Sequence, residues 1–157
     1  MRRNSRRWTG YLLLSLLLGI VSCNKNVVYS HYEHTPTSGW EKNDTLFFKV
    51  PPVKEAGVYE EVVGMRILSD FPFQRLTLMV NQMVYPRNEH FHEYLKCSLI
   101  DDQGEIMGHG IGHIQYEFPL REVTLQAGDS LRIEIRHNMK REVMPSIADI
   151  GIKLVKK

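Results

Sequence analysis

Histidine offers the first chemistry in this chain. His90 and His92 stand at positions i and i+2, and His109 and His113 flank a glycine-rich link. An i, i+2 pair on a strand shares one face, and two such pairs would supply imidazoles enough for a zinc ion. Yet no Cys or carboxylate sits at ligand spacing beside them. Gly110 and Gly112 also argue against the helix that a His-Glu-x-x-His motif needs. No metal and no cofactor is therefore expected. Hydrolytic chemistry fares no better. Glu60-Glu61 and Asp101-Asp102 are adjacent carboxylates, which on a strand point apart and cannot flank one bond. There is no Gly-x-Ser-x-Gly, and Ser69, Ser98 and Ser130 read as turn or strand residues. Gly108-His109-Gly110-Ile111-Gly112 lacks the Lys-Ser/Thr of a phosphate-cradling loop. No catalytic set is expected, and the chain reads as no enzyme. Trp40, Phe71, Phe73 and Tyr116 would form a sugar-stacking platform if exposed, but in a sheet protein such rings belong by default to the core.

One residue retains a definite chemistry. Cys23 closes an apolar run, Tyr11 to Val21, that follows Arg2, Arg3, Arg6 and Arg7. A basic start and a short apolar stretch make a signal peptide, and the stretch is too short to cross a bilayer as a helix. Ile20-Val21-Ser22-Cys23 resembles a bacterial lipobox. That resemblance implies cleavage before Cys23, a thioether diacylglycerol on its sulfur and acylation of the new amino terminus. Membrane lipid is then a partner through Cys23, and several acyl chains together make the attachment stable. Asn24 stands where an Asp would favour the inner membrane, and no acidic cluster follows it, so the periplasmic face of the outer membrane is the expected address. With Cys23 lipidated, Cys97 has no partner; it falls in an alternating stretch and reads as a small buried core residue.

The elements that must position these residues are strands. The whole chain carries a formal charge of +2, but the four arginines leave with the signal, which puts residues 23–157 at −2. The basicity belongs to the targeting segment, so nucleic acid is not an expected partner. Residues 1–22 form the signal peptide, 23–39 the lipidated Cys and a tether, and 40–157 one domain. Val27-Val28-Tyr29 in the tether has the character of a short edge strand. Further strands are expected at Asp44 to Val50, Gly57 to Ser69 with a bend at Gly64, Arg75 to Tyr85, and around Cys97. Others are expected at His113 to Phe118, ended by Pro119, at Leu131-Ile133-Ile135, and at Ile150-Ile152-Leu154. Asp101-Asp102-Gln103-Gly104 is a tight turn. No long segment has a helical period. About eight short strands punctuated by Gly and Pro predict an all-β sandwich, immunoglobulin-like in topology.

The order of these features resembles a known family. Cys23, Tyr29 and Gly39-Trp40 come first, then Arg66 with Asp70-Phe71-Pro72-Phe73-Gln74-Arg75-Leu76. The turn Asp101 to Gly104, Gly108 to Gly110, and Met139 and Arg141 with Ile147-x-Asp149-Ile150-Gly151-Ile152 complete it. Together they resemble the gliding motility lipoprotein GldH family of Bacteroidetes-type bacteria. The chain departs from the pattern at His137-Asn138, where a Gln is usual before Met139. The resemblance implies an envelope lipoprotein that serves gliding and the associated secretion of surface adhesins, with other envelope motility and secretion proteins as partners. It carries over no catalytic residues. Non-strand aromatic, Met and Arg residues concentrate in the Phe71-Pro72-Phe73 turn and in Met139 to Ala148. Those types are enriched at interfaces, so Phe71, Phe73, Met139 and Arg141 are the candidate partner-binding residues. The alternatives are a glycan- or peptidoglycan-binding module and, further off, a zinc-dependent enzyme.

Overall fold

The computed structural model describes residues 26–157, so the signal segment and Cys23 lie outside the described residues. Ten strands and no helix occur among them: β1 Val27–His34, β2 Trp40–Glu41, β3 Leu46–Val50, β4 Gly57–Leu68, β5 Arg75–Tyr85, β6 Glu89–Ser98, β7 His113–Leu125, β8 Ser130–His137, β9 Val143–Met144 and β10 Ile147–Lys156. They build two four-stranded antiparallel sheets, ordered β1-β10-β4-β7 and β3-β8-β5-β6, and a two-stranded ribbon of β2 and β9. An all-β sandwich of about eight strands is what the sequence predicts, and eight of the ten found here are long. The immunoglobulin-like strand order is not found. Counting the long strands in chain order, the sheets read 1-8-3-6 and 2-7-4-5, which is a jelly roll. Alternation shows which face of a strand is buried, not which strand lies beside it. Here every connection between long strands except β5–β6 passes from one sheet to the other.

Period-two patterning fills the space between the sheets. Leu76, Leu78, Val80 and Val84 of β5 meet Leu131, Ile133 and Ile135 of β8 on one side. Tyr59, Val63, Met65 and Ile67 of β4 and Ile150, Ile152 and Leu154 of β10 close it from the other. Cys97 is a buried free thiol among them. Three local expectations change. Pro119 does not end β7, which runs on to Leu125. A proline has no N–H to donate, but β7 is an edge strand, and the ladder to β4 shifts register there. Gly64 makes no break in β4; it is paired with Gly151 of β10 inside a continuous strand. The edge strand at Val27-Val28-Tyr29 extends to His34 and lies along β10, so part of the segment read as tether belongs to the sheet.

The sandwich has two ends. The β1 end gathers the start of β1, the end of β10 and the connections 51–56, 86–88 and 126–129. The opposite, loop end gathers 35–45, 69–74, 99–112 and 138–146.

Candidate functional site

The loop end brings the candidate partner-binding residues together. Its brace is Trp40, wholly buried, whose indole N–H donates to the Asp44 carbonyl at 3.1 Å. Trp40 pairs with Met144, and Glu41 with Val143, which fixes the middle of the Met139 to Ala148 segment as the β2–β9 ribbon. Gly39 enters this ribbon at φ +111°, and a Cβ there would stand 2.5 Å from Val143 Cγ1. Only glycine meets both demands. His137 lies edge-on to the indole, ring centres 5.3 Å apart, with Nε2 3.1 Å from the Trp40 carbonyl and Nδ1 3.5 Å from the Met139 amide. A neutral ring carrying its proton on Nε2 satisfies both bonds. Burial is the largest cause holding the His137 pKa below its ordinary value.

From this brace the segment reaches the rest of the end. Asn138 N–H donates to the Thr77 carbonyl at 2.7 Å, and Thr77 N–H points at Met139 Sδ at 3.4 Å. Leu68 N–H donates to the Ser146 carbonyl at 2.8 Å, tying the turn after β4 to the same segment. Phe71 and Phe73 in that turn lie edge to face, 5.5 Å apart, half-buried against the core. Met139 is also half-buried, and Arg141 is exposed. Of the four candidates, then, Arg141 is the one wholly at the surface. What sequence reasoning missed is a second exposed segment at the same end. The loop 99–112 carries Ile106 and Met107 more than half exposed and Ile111 fully exposed. Asp101 Oδ1 accepts from the Gln103 and Glu105 amides, and Gly104 turns the chain at φ +86°, so the loop is built and not slack. The legible signal was the alternation of Gly108, Gly110 and Gly112 with larger residues. A Cβ at Gly108 would collide with Ile114 and Tyr116, so the loop lies tight on β7 and leaves its apolar side chains outside.

Residues of the C-terminal pattern serve the fold. On the outer face of the first sheet Tyr32 of β1 lies across the Gly64–Gly151 pair; a Cβ on Gly151 would come within 2.6 Å of Tyr32 Cδ1. The Arg66 guanidinium stands 4.4 Å over the same ring and 3.6 Å from Asp149, which is also paired with His34. Arg66 and Asp149 are cross-strand neighbours, so this group clamps β1, β10 and β4 together.

Glu61 is an ionisable group on the inward face of β4 with no exposure. Desolvation is the main cause of a pKa raised to about 7; Gln82 and Arg121 ease the shift and Glu93 adds to it. The Gln82 amide faces the carboxyl outside hydrogen-bond geometry. Arg121 itself lies 3.8 Å over the Phe91 ring. A carboxyl sealed in this way has proton affinity but no access to a substrate. The histidine pairs do not converge. His90 and His92 are exposed on β6, with His92 Nδ1 2.6 Å from Asn81 Oδ1, while His109 and His113 sit at the loop end. Among the described residues no group of three or more His, Cys, Asp or Glu is placed to hold a metal ion. Trp40 and Tyr116 are buried, so they offer no face to a sugar ring.

The fold and the loop end define a class: a jelly-roll sandwich whose distinctive residues brace a surface of loops and strap its strands. Residues 27–154 match the model of the GldH lipoprotein family, and the chain belongs to that family. It is 23% identical over 156 residues to the gliding motility lipoprotein GldH of Flavobacterium johnsoniae, covering 95% of this chain and 96% of that one. Among solved structures it is similar to a family 35 carbohydrate binding module from Clostridium thermocellum, at 15% identity and a TM-score of 0.40, over 81% of this chain and 89% of that one. It is also similar to part of a GH115 4-O-methyl-α-glucuronidase, at 13% identity and 0.44, over 83% of this chain and 18% of the enzyme. At these scores nothing of their carbohydrate chemistry is carried to this chain.

Proposed function

We propose that this chain is a non-enzymatic, lipid-anchored protein of the outer membrane, facing the periplasm, whose loop end docks another protein of a gliding-motility or associated secretion machine. The observation that carries the docking is the exposed apolar group Ile106, Met107 and Ile111 at the end that also bears Arg141. Exposed aliphatic and Met side chains form the kind of patch that interfaces desolvate, and an exposed Arg at the same end adds a residue type enriched there. Family membership and the relative named for gliding motility support the machine to which it is assigned. Cys23 holds the acyl chains, and Phe71, Phe73 and Met139 stand half-buried at the same end, packed against the core.

In-cell crosslinking of the lipidated protein tests this reading. Arg141→Glu and Ile111→Asp are surface changes, and each is expected to cut recovery of motility or secretion subunits about tenfold, the scale of a single interface hot spot. His90→Ala, on the exposed face of β6, is expected to leave recovery unchanged. Undiminished recovery with both loop-end variants at normal protein levels overturns the docking site. Recovery of peptidoglycan fragments in place of protein moves the function to cell-wall binding.

A further inference from the structure

Three residues, Asn24-Lys25-Asn26, stand between Cys23 and Val27, the first residue of β1. An extended chain covers at most about 3.6 Å per residue, so Cys23 lies within about 14 Å of the start of β1. The thirteen residues of β7 alone span about 40 Å at strand rise. The sandwich therefore cannot stand inverted on this tether, with its loop end on the bilayer and the start of β1 a strand length above it. We propose that the β1 end of the sandwich is a membrane-contact face that rests on the lipid surface, holding the loop end about a strand length, some 40 Å, away from it. This rests on the reading of Cys23 as the acylated residue.

The residues at that end suit the position. Val28, Val58 and Tyr85 are exposed there, beside Pro51 and Pro52. A recess of about 330 Å³, apolar along Val28, Val50, Pro51, Pro52, Val53 and Tyr59 and rimmed by the charged Lys54, Glu55 and Lys156, opens next to the strand residue nearest the anchor. The acids of this end are paired. Glu55 meets Lys156, and Lys157 reaches Glu122 at 3.1 Å and Glu60 at 3.6 Å. Arg87 lies 2.8 Å from Glu89 and 2.9 Å from Asp129. Neutralised carboxylates can approach an anionic leaflet, where bare ones would be repelled. The loop end by contrast presents Asp101, Asp102 and Glu105 on its exposed loop.

The test uses the full lipidated chain in vesicles of phosphatidylethanolamine and phosphatidylglycerol. A fluorophore is placed on Lys54→Cys or on Arg141→Cys, Cys97 being buried and unlabelled, and quenched by lipid spin-labelled at the headgroup. Quenching at position 54 is expected to exceed that at 141 several-fold. Equal or reversed quenching on a chain whose N-terminal peptide carries its acyl groups overturns the orientation and leaves the anchor standing. An N-terminal peptide without acyl groups, and no release of the protein on Cys23→Ser, overturns both.

Discussion

At the scale of single residues, the interior carries two titrations of opposite sign. Glu61 holds its proton in the folded state up to about pH 7, while the unfolded carboxyl gives it up near 4.5. Folding thus binds a proton between those values, and stability falls as pH rises through that window, by roughly 3 kcal/mol for 1.36 kcal/mol per unit. Glu61→Gln is expected to flatten this dependence in urea unfolding and to raise the midpoint at pH 8, while at pH 4 the two proteins differ little. His137 works the other way. Its folded pKa lies below the ordinary value of 6.5, so its contribution is complete above that pH and drains away as pH falls from there towards the folded pKa. The Cys97 thiol is pushed up to about 12 by burial, so it is not a nucleophile at neutral pH. A thiol reagent is expected to modify the folded protein only as fast as it unfolds. Cys97 was legible from the alternation around it. Glu61 was not, because a carboxylate in an apolar row reads as an outward position until its neighbours on the other sheet are known.

At the scale of elements, the strands with clean alternation were readable nearly to the residue. β5 runs from Arg75 to Tyr85, and β8 carries Leu131, Ile133 and Ile135 inward. β4 was blurred, since its inward row includes Glu61 and its outward row includes Gly64, hidden beneath Tyr32. β2 and β9 were invisible: two residues have no period, and their pairing depends on Trp40 finding its slot. At the loop end Phe71, Phe73, Met139 and Arg141 were singled out by residue type. Ile106, Met107 and Ile111 were not, since only the folded loop shows them pushed outside by its tight seat on β7. Trp40→Ala is expected to cost about 3–5 kcal/mol and to loosen the ribbon, seen as faster amide exchange at Val143 and Met144. Gly151→Ala is expected to cost about 1–3 kcal/mol by lifting the Tyr32 ring. The same change in a Tyr32→Ala background should cost less, because the collision has gone, and a double-mutant cycle measures the difference.

At the scale of the whole molecule, the anchor and the fold set what the protein can reach. Cys23→Ser is expected to move it from the membrane to the soluble fraction with its unfolding midpoint unchanged, since the first strand of the described sandwich begins only at Val27. Within the sandwich, the pairing of β1 with β10 has a further consequence. Val27 meets Val155, and β10 also separates β1 from β4. The sheet β1-β10-β4-β7 has no seat for β1 until the last strand is in place. Such long-range closure slows folding, because loop entropy is lost before any contact returns it. The strand made first is thus the one completed last, and the partly formed sheet keeps open backbone edges until then. Within this sheet the earliest segment waits for the latest.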